Sequence, residues 1–194
     1  MHPGIRDILD TGVHFYEKNV STWQMAGFVC TGVLGTLLHF LFDWTGGSLS
    51  AALFSAVNES IWEHMKLLFY PMVLFAWIEY MAWGREVDSF WCVKLRGILT
   101  GLLLIPVLYY TYTGSLGVSV DWLNITIFFL AAMVVYRLET RLLESGKACR
   151  LPGWAGVLGL LLLALVFTAA TFFPPQIPLF RDPVTGTYGF FKSS

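Results

Sequence analysis

Long apolar runs, interrupted by short polar stretches, set the pattern of this chain. Residues 23–42, 97–113, 120–136 and 154–173 each approach the roughly 20 apolar residues needed to cross a hydrocarbon core. Each therefore predicts a membrane helix. Residues 48–83 are harder to divide. As one helix they would be about 54 Å long at 1.5 Å per residue, too long for a single crossing. A break, a bend or a surface-lying piece is expected near residues 63–71, which end at Pro71. The stretch thus predicts a segment at 48–65 and another at 67–83, and the chain reads as five or six membrane segments.

The connections agree with this division. Trp44-Thr45-Gly46-Gly47 is a tight turn carrying an interfacial tryptophan, and residues 84–96 form a polar loop with Arg85, Lys94 and Arg96. Pro106 falls inside the fourth segment and predicts a kink. Gly32, Thr36, His39 and Asp43 share one face of the first segment, and Ser48, Ala52, Ser55 and Glu59 form a matching stripe on the second. Small residues let helix backbones approach closely, so these two segments are expected to pair as a hairpin.

Before residue 23 the pattern changes. Ile5, Ile8, Leu9, Phe15 and Tyr16 recur at helical intervals among Arg6, Asp7, Asp10 and Glu17. The charges argue against a cleavable leader and for an amphipathic lead-in over residues 1–22, lying at the membrane interface. After residue 173, Pro174-Pro175 ends the last run. Residues 174–194 are rich in Pro, Gly, Thr and aromatic residues, and read as a turn-rich extended tail that lies back on the bundle.

Composition supports one membrane domain over residues 23–173. The chain is 56% hydrophobic and only 13% charged, against about 25% in soluble domains. The expected fold class is all-α, a polytopic transmembrane helix bundle with the lipid bilayer as its surroundings. A net charge of −1 offers no basic surface for nucleic acid. Cys30, Cys92 and Cys149 have neither Cys-x-x-Cys spacing nor an even count, and read as free thiols.

Basic residues orient the chain. With six crossings, the loops at 84–96 and 137–150 share a side and hold seven of the twelve basic residues. With five, the N-terminus joins them and the division becomes nine against three. Charge thus favours five crossings of a cell membrane, with those two loops cytoplasmic and the C-terminal tail outside.

Chemistry concentrates in Asn58-Glu59-Ser60-Ile61-Trp62-Glu63-His64-Met65-Lys66. Ionisable groups at bilayer depth are costly and mark functional sites. Glu59 and Glu63 stand four residues apart and repel if both ionise in low dielectric, so either one carboxyl is expected to hold its proton to higher pH or a cation to sit between them. Lys66 meets that need for Glu63, and the two are expected to pair at the interface with the lysine snorkelling outward. Glu59 would lie near mid-depth if all six segments cross. In that arrangement His39, Asp43 and Glu79 would converge on one end. If residues 48–65 instead re-enter or lie at the surface, Glu59, Glu63 and His64 fold back towards His39. Only then would His39, Glu59 and His64 supply a His2-carboxylate set for a divalent metal such as zinc.

Three segments carry a resemblance: Leu38-His39-Phe40 with Asp43-Trp44, Asn58 to His64, and Phe180-Arg181-Asp182-Pro183 with Thr185-Gly186-Thr187-Tyr188-Gly189. On these the chain resembles an uncharacterised family of small bacterial membrane proteins, grouped only as a domain of unknown function. The resemblance implies a bacterial inner membrane and no particular activity. Ser60 to His64 is also similar to a short piece of the seven-span progestin/adiponectin receptor group, whose members bind zinc. This chain has no seventh span and no His-x-x-x-His.

Two function classes follow. One is a transport or channel-like protein in which His39, Asp43, Asn58, Glu59, Glu63, His64 and Glu79 form a proton or small-cation cluster, with a homodimer offsetting the small chain. The other is an intramembrane metal-dependent enzyme acting on a lipid-like substrate. A membrane scaffold subunit is the third reading, with the cluster serving only packing.

Overall fold

A computed structural model describes the backbone of residues 3–145, 149 and 151–190, with side chains from Val20 onward. It is an all-α bundle. Helix α1 spans Pro3–Trp44, the short α2 Leu49–Ala52, α3 Ile61–Ala82, α4 Phe90–Leu116, α5 Asp121–Glu144 and α6 Gly153–Phe172. Single 3-10 turns occupy Gly84–Glu86 and Pro178–Phe180. Among the described residues, five stretches are long and apolar enough to cross a membrane, Val20–Trp44 and the helices α3 to α6. The fold class is therefore the one expected, with five spans. The amphipathic lead-in falls mostly on side chains outside the described ones, while its backbone runs into α1 without a break.

Helices α1, α3, α4 and α5 pack in a ring, α1 on α3, α3 on α4, α4 on α5 and α5 back on α1, with α6 laid outside against α4 and α3. The polarity is the reverse of a soluble protein's. Leu103, Leu161, Leu165 and Trp122 are exposed, whereas Glu63, Lys66, Glu79, Lys94 and Glu139 are almost completely buried. An apolar rim with ionic groups inside is what a hydrocarbon solvent selects.

Residues 48–83 break earlier than expected. The helix is interrupted at residues 53–60, between α2 and α3, and Pro71 lies within the continuous α3. Two features explain the shift. Ser60 caps α3, its Oγ accepting a bond from the Glu63 amide at 3.3 Å. That Ser-x-x-Glu start outweighs the proline as a helix boundary. Pro71 has no N–H for the Leu67 carbonyl, and that carbonyl faces Gly35 of α1, where a β-carbon would stand 2.8 Å from it. Close approach by another helix thus covers the proline's missing bond.

Residues 48–65 are consequently no crossing segment. The expected hairpin with 48–55 does not form as a helix pair: Gly32 of the α1 stripe abuts Phe129 of α5, and Gly27, outside the stripe, abuts Phe75 of α3 and Tyr136 of α5. The cysteines differ from expectation as well. Cys92, in the first turn of α4, is bonded to Cys149 with their Cα atoms 5.9 Å apart, and Cys30 alone is free. Spacing in sequence carried no sign of this, because the pair is closed by the α5–α6 connection.

The tail lies back on the bundle. Arg181 and Tyr188 form an antiparallel bridge around a turn in which Asp182 accepts from the Val184 amide at 2.8 Å and the Thr185 hydroxyl at 2.7 Å. The Phe190 amide then donates to the Thr171 carbonyl at the end of α6, and the Phe180 ring packs 4.7 Å from Trp62.

Gly156 makes the tightest contact between α4 and α6. A β-carbon there would stand 2.6 Å from the Trp91 carbonyl carbon and oxygen, backbone atoms that cannot rotate away. Gly156→Ala is expected to destabilise the protein by about 1–3 kcal/mol, as overpacking does. Unfolding in detergent micelles measures this, and an unchanged midpoint would mean that the two helices do not meet there.

Candidate metal centre

His39 lies near the end of α1, and His64 on the first turn of α3. The connection at 53–60 brings Glu59 between them. Three local devices hold this arrangement. The Asn58 Oδ1 accepts from the Ser60 amide at 2.9 Å, closing a tight turn about Glu59. The Asn58 amide group also donates to the Gly189 carbonyl at 3.0 Å, which ties the turn to the tail. His64 Nδ1 lies 2.9 Å from the Ser60 carbonyl, an acceptor, so Nδ1 carries the hydrogen and Nε2 is left facing Glu59.

The three side chains converge. His64 Nε2 is 3.4 Å from Glu59 Oε2, His39 Nε2 is 3.9 Å from Glu59 Oε1, and the imidazole rings are 5.3 Å apart. One donor atom from each lies within 4.8 Å of the others. The side chains of His39 and His64 are about 30% exposed and that of Glu59 is 49% exposed, so the group is open on one side. Phe40 packs edge-on to His39 and Trp44 stacks on Phe40, forming an aromatic rim at the membrane edge. When His64 is protonated at both nitrogens, its Nε2–H donates to Glu59 and holds that carboxyl below its ordinary value, against partial burial, and the charges of both imidazolium rings add to it. In the metal-free chain Glu59 therefore favours folding above the ordinary glutamate range, and that contribution fades as pH falls through the depressed value.

These residues suit a divalent ion. Ligands about 2.0–2.2 Å from a tetrahedral zinc lie about 3.3–3.6 Å from one another. The 3.4 Å separation already matches, and the longer ones need only small side-chain movements. The Ser60 carbonyl supplies the outer partner that orients a ligating imidazole. His39 Nδ1 has no such partner. Asp43 stands exposed one turn beyond His39 and outside the trio.

A model of DUF6512, a family of unknown function, matches residues 14–190. The chain belongs to this family. No curated protein and no solved structure matches it. The three segments of the earlier resemblance lie inside the matched range and meet at one end of the bundle. His39, Glu59 and His64 are one contact among them, and the Asn58–Gly189 bond and the Trp62–Phe180 pair are others.

The remaining polar residues separate into two buried groups. Glu63 and Lys66 do pair, at 2.5 Å, but deep inside the protein instead of at the interface. Lys66 Nζ also donates to the Ala52 carbonyl and the Thr171 hydroxyl, each at 3.0 Å. Glu63 accepts from the Val57 amide at 3.1 Å, and its other oxygen is 2.9 Å from the Thr171 hydroxyl. With so many internal partners, the lysine has no reason to snorkel. Glu79 is not near His39 and Asp43. Late in α3, it bonds Lys94, which also donates to Glu139 at 2.6 Å, while Gln24 donates to Glu79 at 2.7 Å.

Lys94, Glu139 and Gln24 were missed because Lys94 was assigned to a loop and Glu139 to the charged end of a span. Extending α4 back to Phe90 brings Lys94 inside. The Ser60-x-x-Glu63 cap was the legible signal for where the centre's loop ends. Lys66→Met leaves Glu63 buried without its cation and is expected to cost about 3–5 kcal/mol. Adding Glu63→Gln should recover much of that loss in a denaturation series. Equal losses in the single and double variants would mean the two charges are not coupled.

Proposed function

We propose that this protein is a metal-dependent membrane enzyme, with His39, Glu59 and His64 binding a zinc-class divalent ion at the membrane surface. The convergence of three donor atoms around an open side carries the reading. Catalytic zinc sites commonly combine three protein ligands with one exchangeable position, and His2-Glu is one such set. A bound ion would supply Lewis-acid chemistry at that open side. Asp43, exposed and one turn from His39, is the group on this chain best situated to move a proton there. The rim of Phe40 and Trp44 suits a substrate with an apolar portion, held at headgroup level.

The transport reading calls on buried acids in a polar cavity of the bundle, with Glu59 near mid-depth if all six segments cross. Glu59 lies instead in the connection at 53–60, outside the five apolar helices. The enzyme reading also asks for no second copy of the chain. The nine-against-three division of basic residues supports an orientation with the centre outside a cell membrane and the α3–α4 and α5–α6 connections in the cytoplasm.

Zinc binding to the detergent-purified chain tests the proposal. One ion per chain is expected. His39→Ala and His64→Ala should each weaken binding by more than the roughly 10–100-fold that loss of an outer-shell partner costs. Absence of stoichiometric binding, or binding indifferent to both substitutions, would sink it. A bound ion that the protein also carries into liposomes would make the protein a transporter instead.

A further inference from the structure

The end of the bundle away from the metal centre holds a second polar group with an unbalanced charge. Glu79 of α3 and Glu139 of α5 share one ammonium, Lys94 of α4, and all three are at most 2% exposed. On α1, Gln24 donates to Glu79 at 2.7 Å. The other groups facing the cluster carry no compensating charge. They are the Tyr136 hydroxyl of α5, bonded to Thr31 at 2.7 Å, the nearby Cys30 thiol of α1, and the Phe90 ring, whose centroid is 5.4 Å from Lys94 Nζ. Helix α6 has no charged residue. Arg85, Arg96, Arg137 and Arg141, on the same elements or next to them, are all exposed. Among the described residues, Lys94 is thus the one cation inside this end.

With both carboxyls ionised the cluster would carry a charge of −1 in an apolar interior, where an uncompensated charge is far more costly than a neutral acid. Two oxygens mark the imbalance. Glu139 Oε2 accepts from Lys94, whereas Glu139 Oε1 is buried with no hydrogen-bond partner and lies against Gly97. Gln24 Oε1 is buried without a partner too. We propose that this cluster is a proton-binding site, in which Glu79 and Glu139 hold one proton between them and Lys94 neutralises the remaining carboxylate. Glu139 Oε1, which receives no donor, is the atom where that proton sits at least cost. Paired carboxyls of this kind titrate as a unit, and the proton belongs to the pair.

This site stands apart from the metal centre and does not depend on its function. Infrared spectroscopy of the full chain in liposomes tests it. At neutral pH the protein should show the C=O stretch of one protonated carboxyl, sensitive to deuterium exchange. Glu139→Gln and Glu79→Gln should each abolish the band, because the carboxylate left behind is then neutralised by Lys94. Glutamine copies the shape of a protonated glutamate, so both variants should fold. Lys94→Met should double the band. Absence of the band from the unmodified protein, or its survival in either glutamine variant, would overturn the proposal.

Discussion

The buried bond between Glu63 and Lys66 is the interaction on which the end of the protein that carries His39, Glu59 and His64 depends. It ties α2, α3, α6 and the connection at 53–60 to one another beside the Phe69–Phe167 contact. Lys66 holds the Ala52 carbonyl and the Thr171 hydroxyl, while Glu63 holds the Val57 amide. The end of α2 and the middle of the connection at 53–60 are thereby fixed to α3 and α6. Buried ion pairs add stability only when their remaining hydrogen-bonding capacity is filled, and here two backbone groups and the Thr171 hydroxyl share that task. The tail completes the arrangement through Phe190 on Thr171 and Gly189 on Asn58.

The two ends of the bundle use buried charge differently. Near the centre, one carboxylate meets one ammonium, and the surplus donors and acceptors go to loop backbone. At the opposite end, two carboxyls meet one ammonium, and the partners come from helices α1, α3, α4 and α5. The first arrangement orders a connection. The second joins every helix of the inner ring, and α2 and α6 contribute nothing to it. Between them the core is apolar and aromatic, with Leu68, Phe69, Phe75, Ile98 and Val135 among its members.

Much of this was legible in the sequence where the signal was long. Apolar runs identified the spans, and basic residues favoured five crossings over six. The His39, Glu59 and His64 set was recoverable, but only on the condition that residues 48–65 did not cross. Short signals competed and misled. Pro71 drew the expected break into α3, because a proline is conspicuous whereas the cover given to Leu67 by Gly35 is visible only in three dimensions. Glu79 was grouped by depth with His39, an argument that assumed the wrong number of reversals. Lys94 and Glu139 looked like loop and helix-end charges because they stand close to arginines in sequence. The direction in which each side chain points distinguishes them, and that depends on where α4 begins.

The trio at the surface differs from both buried groups in what the fold requires of it. Removing a member of Glu63–Lys66 strands a charge in hydrocarbon, so stability alone accounts for that pair. His39, Glu59 and His64 meet at 3.4 and 3.9 Å with substantial exposure. Exposed pairs of this kind contribute about 1 kcal/mol or less. Considerable structure nevertheless serves them: the Asn58 turn, the Ser60 carbonyl on His64, and a tail seated on the loop that carries Glu59. Such support is out of proportion to what the contacts return in folding energy. It is in proportion to what the proposed ligand set would need, since donor atoms must be held close to their final positions before an ion arrives.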